Sequence, residues 1–524
     1  MSCSPLQDKL RGGQAVIAWT VEAADLLTPV AAFLKLRRHL PGADRNSFLL
    51  ESIEGGVARG RYSVIGLLPD RIWRCRTGTV AVSRDGDSFI PIDAHPIDSL
   101  RQQIDANRID LPTALPPMIG GLFGYLGYDM VRQMERLPNT PTDDLGLPEA
   151  MLLRPSLFAV FDNVRDELTL AVPLRPDREH NADVLWDRGQ ALLAQARDAL
   201  SLELPMARAP VQSVATVPIE PRSNFTREAF LDVVERVQEY IAAGDAFQVV
   251  PSQRFSASFE PPPFALYRAL RRINPAPFLF FLDLSSGDLS SGQDRFQLVG
   301  SSPEVLVRLR EGTVTVRPLA GTRPRGGDRT EDQRLEAELL ADPKERAEHL
   351  MLVDLGRNDV GRVATLGSVK VTESFMIERF SHVMHISSTV EGTLRPELDA
   401  LDALIAGFPA GTLTGAPKIR AMQIIDEMEP TRRGTYAGCI GYFGADGAMD
   451  TCIGLRMALI KDGTMHVQAG CGVVADSVPD AEYEETKQKA RALFRAAEAA
   501  IAQNQSHGHV QGHADAQGPH GVSA

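Results

Sequence analysis

The sequence lacks an excess of basic residues. Of its 524 residues, 55 are Lys or Arg and 68 are Asp or Glu, which gives a net charge of −13 at pH 7. A protein that binds along the phosphate backbone of a nucleic acid needs a basic surface, so this balance argues against that class. An anionic substrate would have to be held locally, by a metal ion or by a few placed cations.

Cysteine is scarce, and long apolar runs are missing. None of the five cysteines belongs to a C-x-x-C pair, which favours neither a disulfide framework nor a zinc site and fits a reducing compartment. The first ten residues lack the apolar segment of a signal peptide, and no apolar run approaches the ~20 residues that span a bilayer. We therefore expect a soluble, cytoplasmic protein.

What is present is a globular composition, with 44% hydrophobic and 23% charged residues. Short apolar runs bounded by turn residues predict strands, for example Phe278–Leu282 and Thr451–Ile460. Glu311-Gly312 and Asp462-Gly463 are typical of hairpin turns between antiparallel strands. Because helical patterns are interspersed, we predict an α+β fold with large antiparallel sheets and helices packed outside.

Two breaks in composition divide the chain. Residues 205–221 contain four prolines without a periodic pattern, which is typical of a linker. From residue 503 the chain has no Lys or Arg and carries four histidines, so we predict a disordered His-rich tail at 503–524. An N-terminal region at 1–204 and a larger domain at 222–502 remain. The segments Gly121–Gly127 and Gly438–Gly444 share the pattern G-x-x-G-Y-x-G, which equivalent strands or chance would explain.

Two helical patterns carry acidic residues one turn apart. Glu345 and Glu348 form the first pair, and Glu482 and Glu485 form the second, just after Pro479. Residues three apart share a helix face, so two such helices could meet around a hard cation such as Mg²⁺. Solvated helix faces are the alternative, and the spacing alone favours them.

Other segments offer single reactive groups. Glu304 lies in a Ser-Ser-Pro-Glu corner before a predicted strand, where burial would make it a general acid and exposure an ordinary turn carboxylate. His382 and His385 point to opposite faces of a strand, so at most one is functional. Cys471 stands between two glycines, which suits backbone contact with a ligand better than nucleophilic catalysis.

In their order along the chain, these segments resemble the chorismate-utilising enzymes, and among them the anthranilate synthase component I family. The resemblance extends from Leu27 to Ile501. The strings that carry it are LLES, GLFGYLGYD, FQVVPSQRF, NPAPF, GSSPE, PLAGTRPRG, ERAEHLMLVDLGRND, FSHVMH, GTLTGAPKIRAM, AGCIGYF, DTCIGLR and QAGCGVVADS.

The resemblance implies a two-layer core of antiparallel sheet wrapped by helices. The domain at 222–502 would then be the chorismate-binding catalytic domain, and the region at 1–204 would help to build a regulatory pocket. It also implies a lyase that aminates chorismate at ring carbon 2 with ammonia, with Mg²⁺ as cofactor. Loss of the 4-hydroxyl and elimination of pyruvate then give anthranilate, in the first committed step of tryptophan biosynthesis. Feedback inhibition by L-tryptophan is part of the same implication.

The resemblance also assigns residues. Glu348 and Glu485 would bind the metal, with Glu345 and Glu482 binding directly or through water. Glu304 would protonate the leaving hydroxyl, and His385 would assist the elimination, with Thr412 hydrogen-bonded beside it. Chorismate would contact seven further residues: Gly321, Thr322, Tyr436, Arg456, Gly470, Cys471 and Gly472.

The sister activities differ at two positions. Members that add water carry Lys where Gln248 stands, and aminodeoxychorismate synthases carry Lys where Ala320 stands, so this sequence favours direct addition of ammonia. A sister enzyme and a catalytically silent regulator remain the alternatives. No cysteine lies in a G-x-C-x-G elbow, so a separate glutamine amidotransferase subunit would supply the ammonia. The tryptophan pocket would be lined by Glu51, Ser52, Pro277, Phe278 and Leu279.

Overall fold

A computed structural model describes residues 5–54, 58–177, 179–204, 218–287, 295–380 and 383–514. Most of its helices begin at a Pro or at a side chain that caps free N–H groups, as expected for helix starts. The helices are α1 Pro5–Arg11, α2 Pro29–His39, α3 Pro96–Ala106, α4 Ala182–Ser201, α5 Arg227–Ala242, α6 Pro263–Ile273, α7 Arg329–Ala341, α8 Pro343–Gly361, α9 Ala400–Gly407, α10 Lys418–Met428 and α11 Pro479–Ala514, with 3-10 turns at η1 Tyr128–Gln133 and η2 Gly411–Leu413.

The strands are short and mostly antiparallel neighbours of each other. They are β1 Val16–Ala23, β2 Ser47–Glu54, β3 Ala58–Arg76, β4 Thr79–Ser83, β5 Ile90–Ile92, β6 Leu122–Leu126, β7 Ala150–Asp162, β8 Glu167–Leu174, β9 Arg222–Ser223, β10 Gln248–Val249, β11 Ser252–Ser258, β12 Phe278–Ser285, β13 Arg295–Ser302, β14 Val305–Arg310, β15 Thr313–Val316, β16 Leu319–Pro324, β17 Lys370–Arg379, β18 Val383–Thr393, β19 Gly415–Ala416, β20 Cys439–Phe443, β21 Met449–Ile453, β22 Met457–Lys461 and β23 Thr464–Gly470.

In the described part of the chain, 21 of these strands form one continuous sheet, and β10 pairs separately with β19. The sheet curls on itself, because Phe48 of β2 stacks on Phe123 of β6 with ring centroids 4.5 Å apart although β3 and β7 separate the two strands. An apolar cluster made mainly of strand residues fills the interior between the two layers. The predicted α+β fold with large antiparallel sheets is confirmed.

The helices cover the outer faces of the sheet. One apolar cluster joins α2, α4, α6 and α11 to the strands, and another joins α3, α8 and α9 to the opposite side. Burial of apolar surface is the main stabilising contribution of these contacts, and it contributes about 25 cal/mol for each Å² removed from water. Among the described helices, none combines the length and apolarity needed to cross a bilayer.

The two segments with the pattern G-x-x-G-Y-x-G form strands that pair with each other. β6 and β20 run antiparallel, and Gly124 lies opposite Gly441 at the centre of the pair. A Cβ on Gly124 would lie 2.0 Å from the carbonyl oxygen of Met151, and one on Gly441 would lie 2.1 Å from that of Asp450. The shared pattern therefore reflects two equivalent positions in the paired strands. Each position needs Gly because the neighbouring strand approaches too closely for a side chain.

Three sequence predictions concern where elements begin and end. The run Thr451–Ile460 is not one strand, because the chain turns at Gly454–Arg456 between β21 and β22. The helix α11 continues to Ala514, beyond residue 503 where the sequence predicts the start of a disordered tail, since no Pro interrupts it there. Residues 205–217 of the predicted linker and 515–524 of the predicted tail lie outside the described residues.

Candidate active site

The predicted site residues lie where several strands end under α8 and α11. Glu304 lies between β13 and β14, Gly321 lies in β16, and His385 lies in β18. Arg456 occupies the turn between β21 and β22, and Gly470 ends β23. The fold therefore gathers residues at one end of the sheet although Glu304 and Gly470 are 166 positions apart in sequence.

Glu304 is buried, with only 6% of its surface exposed. Burial is the main cause that raises the pKa of its carboxyl to about 8. The backbone N–H of Leu319, which donates to Oε1 at 3.4 Å, and the charge of Arg456 oppose this rise. At neutral pH the carboxyl is therefore protonated and able to donate a proton, as a general acid requires.

His385 is held as a neutral ring. Its Nδ1 lies 2.9 Å from the carbonyl oxygen of Gly321 and 3.2 Å from the hydroxyl of Thr322, so Nδ1 carries the proton. Burial, followed by the charge of Arg456, lowers the pKa of the imidazole to about 4. The lone pair on Nε2 faces the guanidinium of Arg456 at 3.5 Å, which leaves Nε2 as the basic atom of the ring. His382 lies outside the described residues.

Arg456 adopts a left-handed backbone conformation, with φ of 48°. This conformation costs free energy for a residue with a Cβ, and it persists where the surrounding structure fixes it. The carbonyl oxygen of Arg456 accepts a hydrogen bond from the N–H of Ser301 at 3.1 Å. The turn thus brings the guanidinium between Glu304 and His385, whose pKa values both respond to its charge.

Three glycines leave the backbone open on the side of the site that faces α8 and α11. Gly321 has φ of 68°, and a Cβ there would lie 3.1 Å from the carboxylate of Glu345. A Cβ on Gly472 would lie 2.7 Å from the side-chain nitrogen of Gln248, and one on Gly470 would lie 2.7 Å from the carbonyl of Pro251. Larger residues at these positions would fill the space between the strands and the two helices.

The thiol of Cys471 is excluded as a nucleophile. The residue has no exposed surface, and burial raises the pKa of its thiol well above the usual range. Its backbone N–H donates to the carbonyl of Pro251 at 3.1 Å. Cys471 therefore contributes the position of its backbone, as the flanking glycines also indicate.

The four acidic residues of the two helices meet at the edge of this site. Burial raises the pKa of Glu348, and the charges of Glu345 and Glu485 raise it further. Burial also raises the pKa of Glu482, with the charge of Glu485 adding to the effect. Carboxylates that perturb one another in this way are close enough to concentrate negative charge.

The geometry around a metal ion is incomplete in the protein alone. Among the described residues, no three His, Cys, Asp or Glu side chains converge on a point that could hold a metal. Oε2 of Glu482 is buried and has no hydrogen-bond partner in the described part of the chain. Mg²⁺ usually takes one or two carboxylates and completes its shell with water and substrate, so the donor set fits such an ion.

Lys489 is a residue of this site that the sequence analysis missed. Its ammonium lies 2.7 Å from the carboxylate of Glu485 and donates to the carbonyl of Gly470 at 3.0 Å. Its charge also lowers the pKa of Glu348 and of His385. The signal available in the sequence was its position four residues after Glu485, which places it on the same face of α11.

Thr412 and Tyr436 line two further parts of the candidate site. Thr412 lies in η2, and it lines a cavity of about 40 Å³ together with Glu304 and residues of α8. The predicted hydrogen bond of its hydroxyl beside His385 stays a prediction. Tyr436 is buried, and its hydroxyl faces Gly470.

Gln248 and Ala320, the two positions predicted to separate sister activities, also lie in this region. Gln248 is buried in β10, and its side-chain amide donates to Oε1 of Glu348 at 3.3 Å. Ala320 is buried in β16, next to Gly321. Neither position carries a basic side chain that could activate water or attack a ring.

The residues predicted to bind an effector form a separate group beside the end of β13 that leads to Glu304. Strand pairing places Ser52 opposite Phe278 and Glu51 opposite Leu279, while Pro277 precedes β12. The carboxylate of Glu51 accepts hydrogen bonds from Tyr267 and Arg271. The same corner contacts β13, because the hydroxyl of Ser301 donates to the carbonyl of Asn274.

Comparisons with known proteins show what this chain is similar to. The family model for chorismate binding enzymes matches residues 58–495. Anthranilate synthase component 1 of Cereibacter sphaeroides is 52% identical over 93% of this chain and 95% of the relative, and the Thermus thermophilus protein of that name is 47% identical over 91% and 97%.

Solved structures give the same picture. The structure of anthranilate synthase component I from Streptococcus pneumoniae matches with a TM-score of 0.70 and 37% identity, over 83% of this chain and 92% of that chain. The menaquinone-specific isochorismate synthase MenF from Escherichia coli matches with a TM-score of 0.67, over 94% of this chain and 98% of that chain. Its identity is 20%, so this second likeness concerns the fold alone.

Proposed function

Because the chain belongs to the chorismate-binding enzyme family, we propose that it is the chorismate-converting subunit of an anthranilate synthase. The observation that carries the proposal is the 52% identity to an anthranilate synthase component 1 across 93% of the chain. Gln248 and Ala320 support it, since each stands where a sister activity would need Lys. The reaction would join ammonia to chorismate and release pyruvate and anthranilate.

The first step would be amination at ring carbon 2 with departure of the 4-hydroxyl. Ammonia is already a nucleophile, so a neutral Gln248 suffices at the position from which water would need activation. Glu304 would protonate the departing hydroxyl, as its retained proton at neutral pH supports. The cavity of about 40 Å³ beside Glu304 and Thr412 has room for the water that forms.

The second step would eliminate pyruvate and restore the aromatic ring. A proton must leave ring carbon 2. The atom that would accept it is Nε2 of His385, the basic atom of that imidazole, which lies 3.5 Å from the guanidinium of Arg456. The hydrogen bond from Nδ1 to Gly321 fixes the ring in the required tautomer. Arg456 would bind the enolpyruvyl carboxylate with its planar guanidinium.

Mg²⁺ is the proposed cofactor, held by Glu348 and Glu485. When bound, it would neutralise and orient the ring carboxylate of chorismate. Two observations support this assignment: the mutual repulsion of the carboxylates and the unpartnered Oε2 of Glu482. Lys489 would add a second positive charge for a dianionic substrate.

We also propose two partners of the subunit. A separate glutamine amidotransferase would supply ammonia, because the four described cysteines are all buried and none can act as the glutaminase nucleophile. L-Tryptophan would inhibit by binding at the paired ends of β2 and β12, where Ser52 lies opposite Phe278. We expect the enzyme to work in the cytoplasm as part of a hetero-oligomer.

A product assay tests the proposed function. The protein is incubated with chorismate, Mg²⁺ and an ammonium salt, and anthranilate is followed by fluorescence while pyruvate is measured by a coupled dehydrogenase. Equal amounts of anthranilate and pyruvate are expected. A non-aromatic product without pyruvate would identify a sister enzyme and overturn the proposal.

A further inference from the structure

A fully buried ion pair lies directly beneath the candidate site. The side chains of Arg433 and Glu429 are 2% and 3% exposed and approach to 2.6 Å. Burying two charges is unfavourable, and the pair is tolerated only if further hydrogen bonds satisfy both groups. Neither residue belongs to the reaction steps described above.

The two terminal nitrogens of Arg433 each reach a backbone carbonyl in a different segment of the site. Nη1 donates to the carbonyl of Leu413 at 2.6 Å, directly after Thr412 in η2. Nη2 donates to the carbonyl of Val250 at 2.6 Å, two residues after Gln248. The guanidinium also lies over the ring of Tyr436, 5.6 Å from its centroid. One side chain therefore connects three segments that are remote in sequence.

Glu429 completes the connection on its other side. Its Oε1 accepts hydrogen bonds from the N–H and the hydroxyl of Ser252, both at 2.8 Å. Ser252 pairs with Gly470 across β11 and β23, and the preceding Pro251 accepts the N–H of Cys471. Because the strand is interrupted at Pro251, the N–H of Ser252 is available to the carboxylate of Glu429. The carbonyl of Pro251 is likewise available to the glycine-rich segment.

We infer that Arg433, held by Glu429, is a positioning residue that sets the relative placement of Thr412, Tyr436 and the Gly470–Gly472 segment around the substrate. The inference rests on the proposed function for the identity of the substrate. A planar fork with several donors is required, because Glu429, the Leu413 carbonyl and the Val250 carbonyl lie in different directions. A lysine keeps the charge but cannot satisfy all three acceptors.

The experiment compares Arg433→Lys with the wild-type subunit. We expect KM for chorismate to rise about tenfold and kcat to fall up to about 10²-fold, since misplacing reacting groups by about 1 Å has effects of this size. A double variant, Glu429→Met with Arg433→Met, replaces the pair by apolar side chains that can keep the fold. It should show the same rise in KM, so the test survives poor folding of the lysine variant.

Arg37→Lys provides the matched control. Arg37 also forms a largely buried ion pair, with Asp283, and none of the site residues is among its described partners. It should lower the melting temperature to a similar degree and leave KM unchanged. A purely structural role of Arg433 would reduce the fraction of active enzyme at constant KM, and this result would overturn the inference.

Failure of the proposed function is distinguishable from failure of the inference. If the wild-type protein binds chorismate in equilibrium dialysis but forms no anthranilate, the proposed function fails. The inference is then judged by chorismate binding, which Arg433→Lys should weaken about tenfold. Equal binding by the variant and the wild type would contradict it.

Discussion

At the scale of single residues, Glu304 shows how the environment selects a protonation state. Burial favours the neutral carboxyl, while Arg456 and the N–H of Leu319 favour the carboxylate. Burial is the larger effect, and it raises the pKa to about 8. His385 is affected in the opposite sense, since burial lowers the pKa of a cationic acid. One site therefore holds a protonated acid and an unprotonated base at the same pH.

Glu304→Gln should separate activity from stability. The variant loses the acidic proton, so kcat should fall about 10²- to 10⁴-fold. In wild-type protein the carboxyl has a higher pKa when folded than when unfolded, where it is near 4.3. The unfolded state therefore binds fewer protons between about pH 4 and pH 8, and the contribution of this group to stability declines as pH rises through that range.

The measurement is a set of melting curves from pH 5 to pH 9. As pH rises, the free energy of unfolding of the glutamine variant should increase relative to that of the wild type, on the order of 1 kcal/mol per pH unit within the window. The kcat/KM of the wild type should decline above about pH 8, where Glu304 ionises. Parallel melting profiles of the two proteins would contradict the assignment.

At the scale of elements, the sequence predicts most of the strands and misses how the chain turns between them. The hairpin at Asp462-Gly463 is confirmed, because both residues have positive φ, as a tight hairpin turn requires. The run Thr451–Ile460 is apolar enough for one strand, yet Arg456 adopts a left-handed conformation within it. Local propensity cannot predict this turn, since tertiary contacts fix it.

The facing helices α8 and α11 lead to a prediction about the metal. Glu348→Gln removes a charged oxygen ligand, so activity should fall on the order of 10²-fold and should require more Mg²⁺. Glu484→Gln is the control on the solvent side of α11, where Glu484 pairs with Lys487. Titrating Mg²⁺ into each variant with chorismate present gives the affinity, and equal curves for both variants would remove Glu348 from the metal site.

The pairing of β2 with β12 leads to a prediction about inhibition. Ser52→Phe introduces a large side chain opposite Phe278, where it would fill the proposed effector pocket. The concentration of L-tryptophan that halves activity should rise about tenfold or more. The uninhibited rate should remain that of the wild type, and an unchanged inhibition curve would exclude Ser52 from the pocket.

At the scale of the whole molecule, strands from both halves of the sequence share one sheet. β2 pairs with β12, and β6 pairs with β20. The sequence predicts the acidic pairs and the buried acid because local patterns and family motifs mark them. It cannot predict the contact of Arg433 with Leu413 and Val250, since that depends on pairings between segments far apart in the chain.

The shared sheet predicts that the two halves are active only together. Residues 1–204 and 218–524, produced as separate chains, should co-purify and recover activity when expressed together. The second fragment alone should aggregate, because β12 and β20 would each lose a neighbour and expose an unpaired edge. Size-exclusion chromatography with activity assays tests this, and a monomeric, active second fragment would contradict it.

The contact of Ser301 with both Asn274 and Arg456 has a practical consequence for producing tryptophan from engineered strains. Ser301 lies between the corner proposed for the inhibitor and the arginine proposed for the substrate. Substituting Ser301 should therefore lower the rate of synthesis as well as the proposed inhibition by L-tryptophan. Ser52 reaches that corner from the opposite strand. Feedback-resistant variants with full productivity should therefore be sought on the Ser52 side.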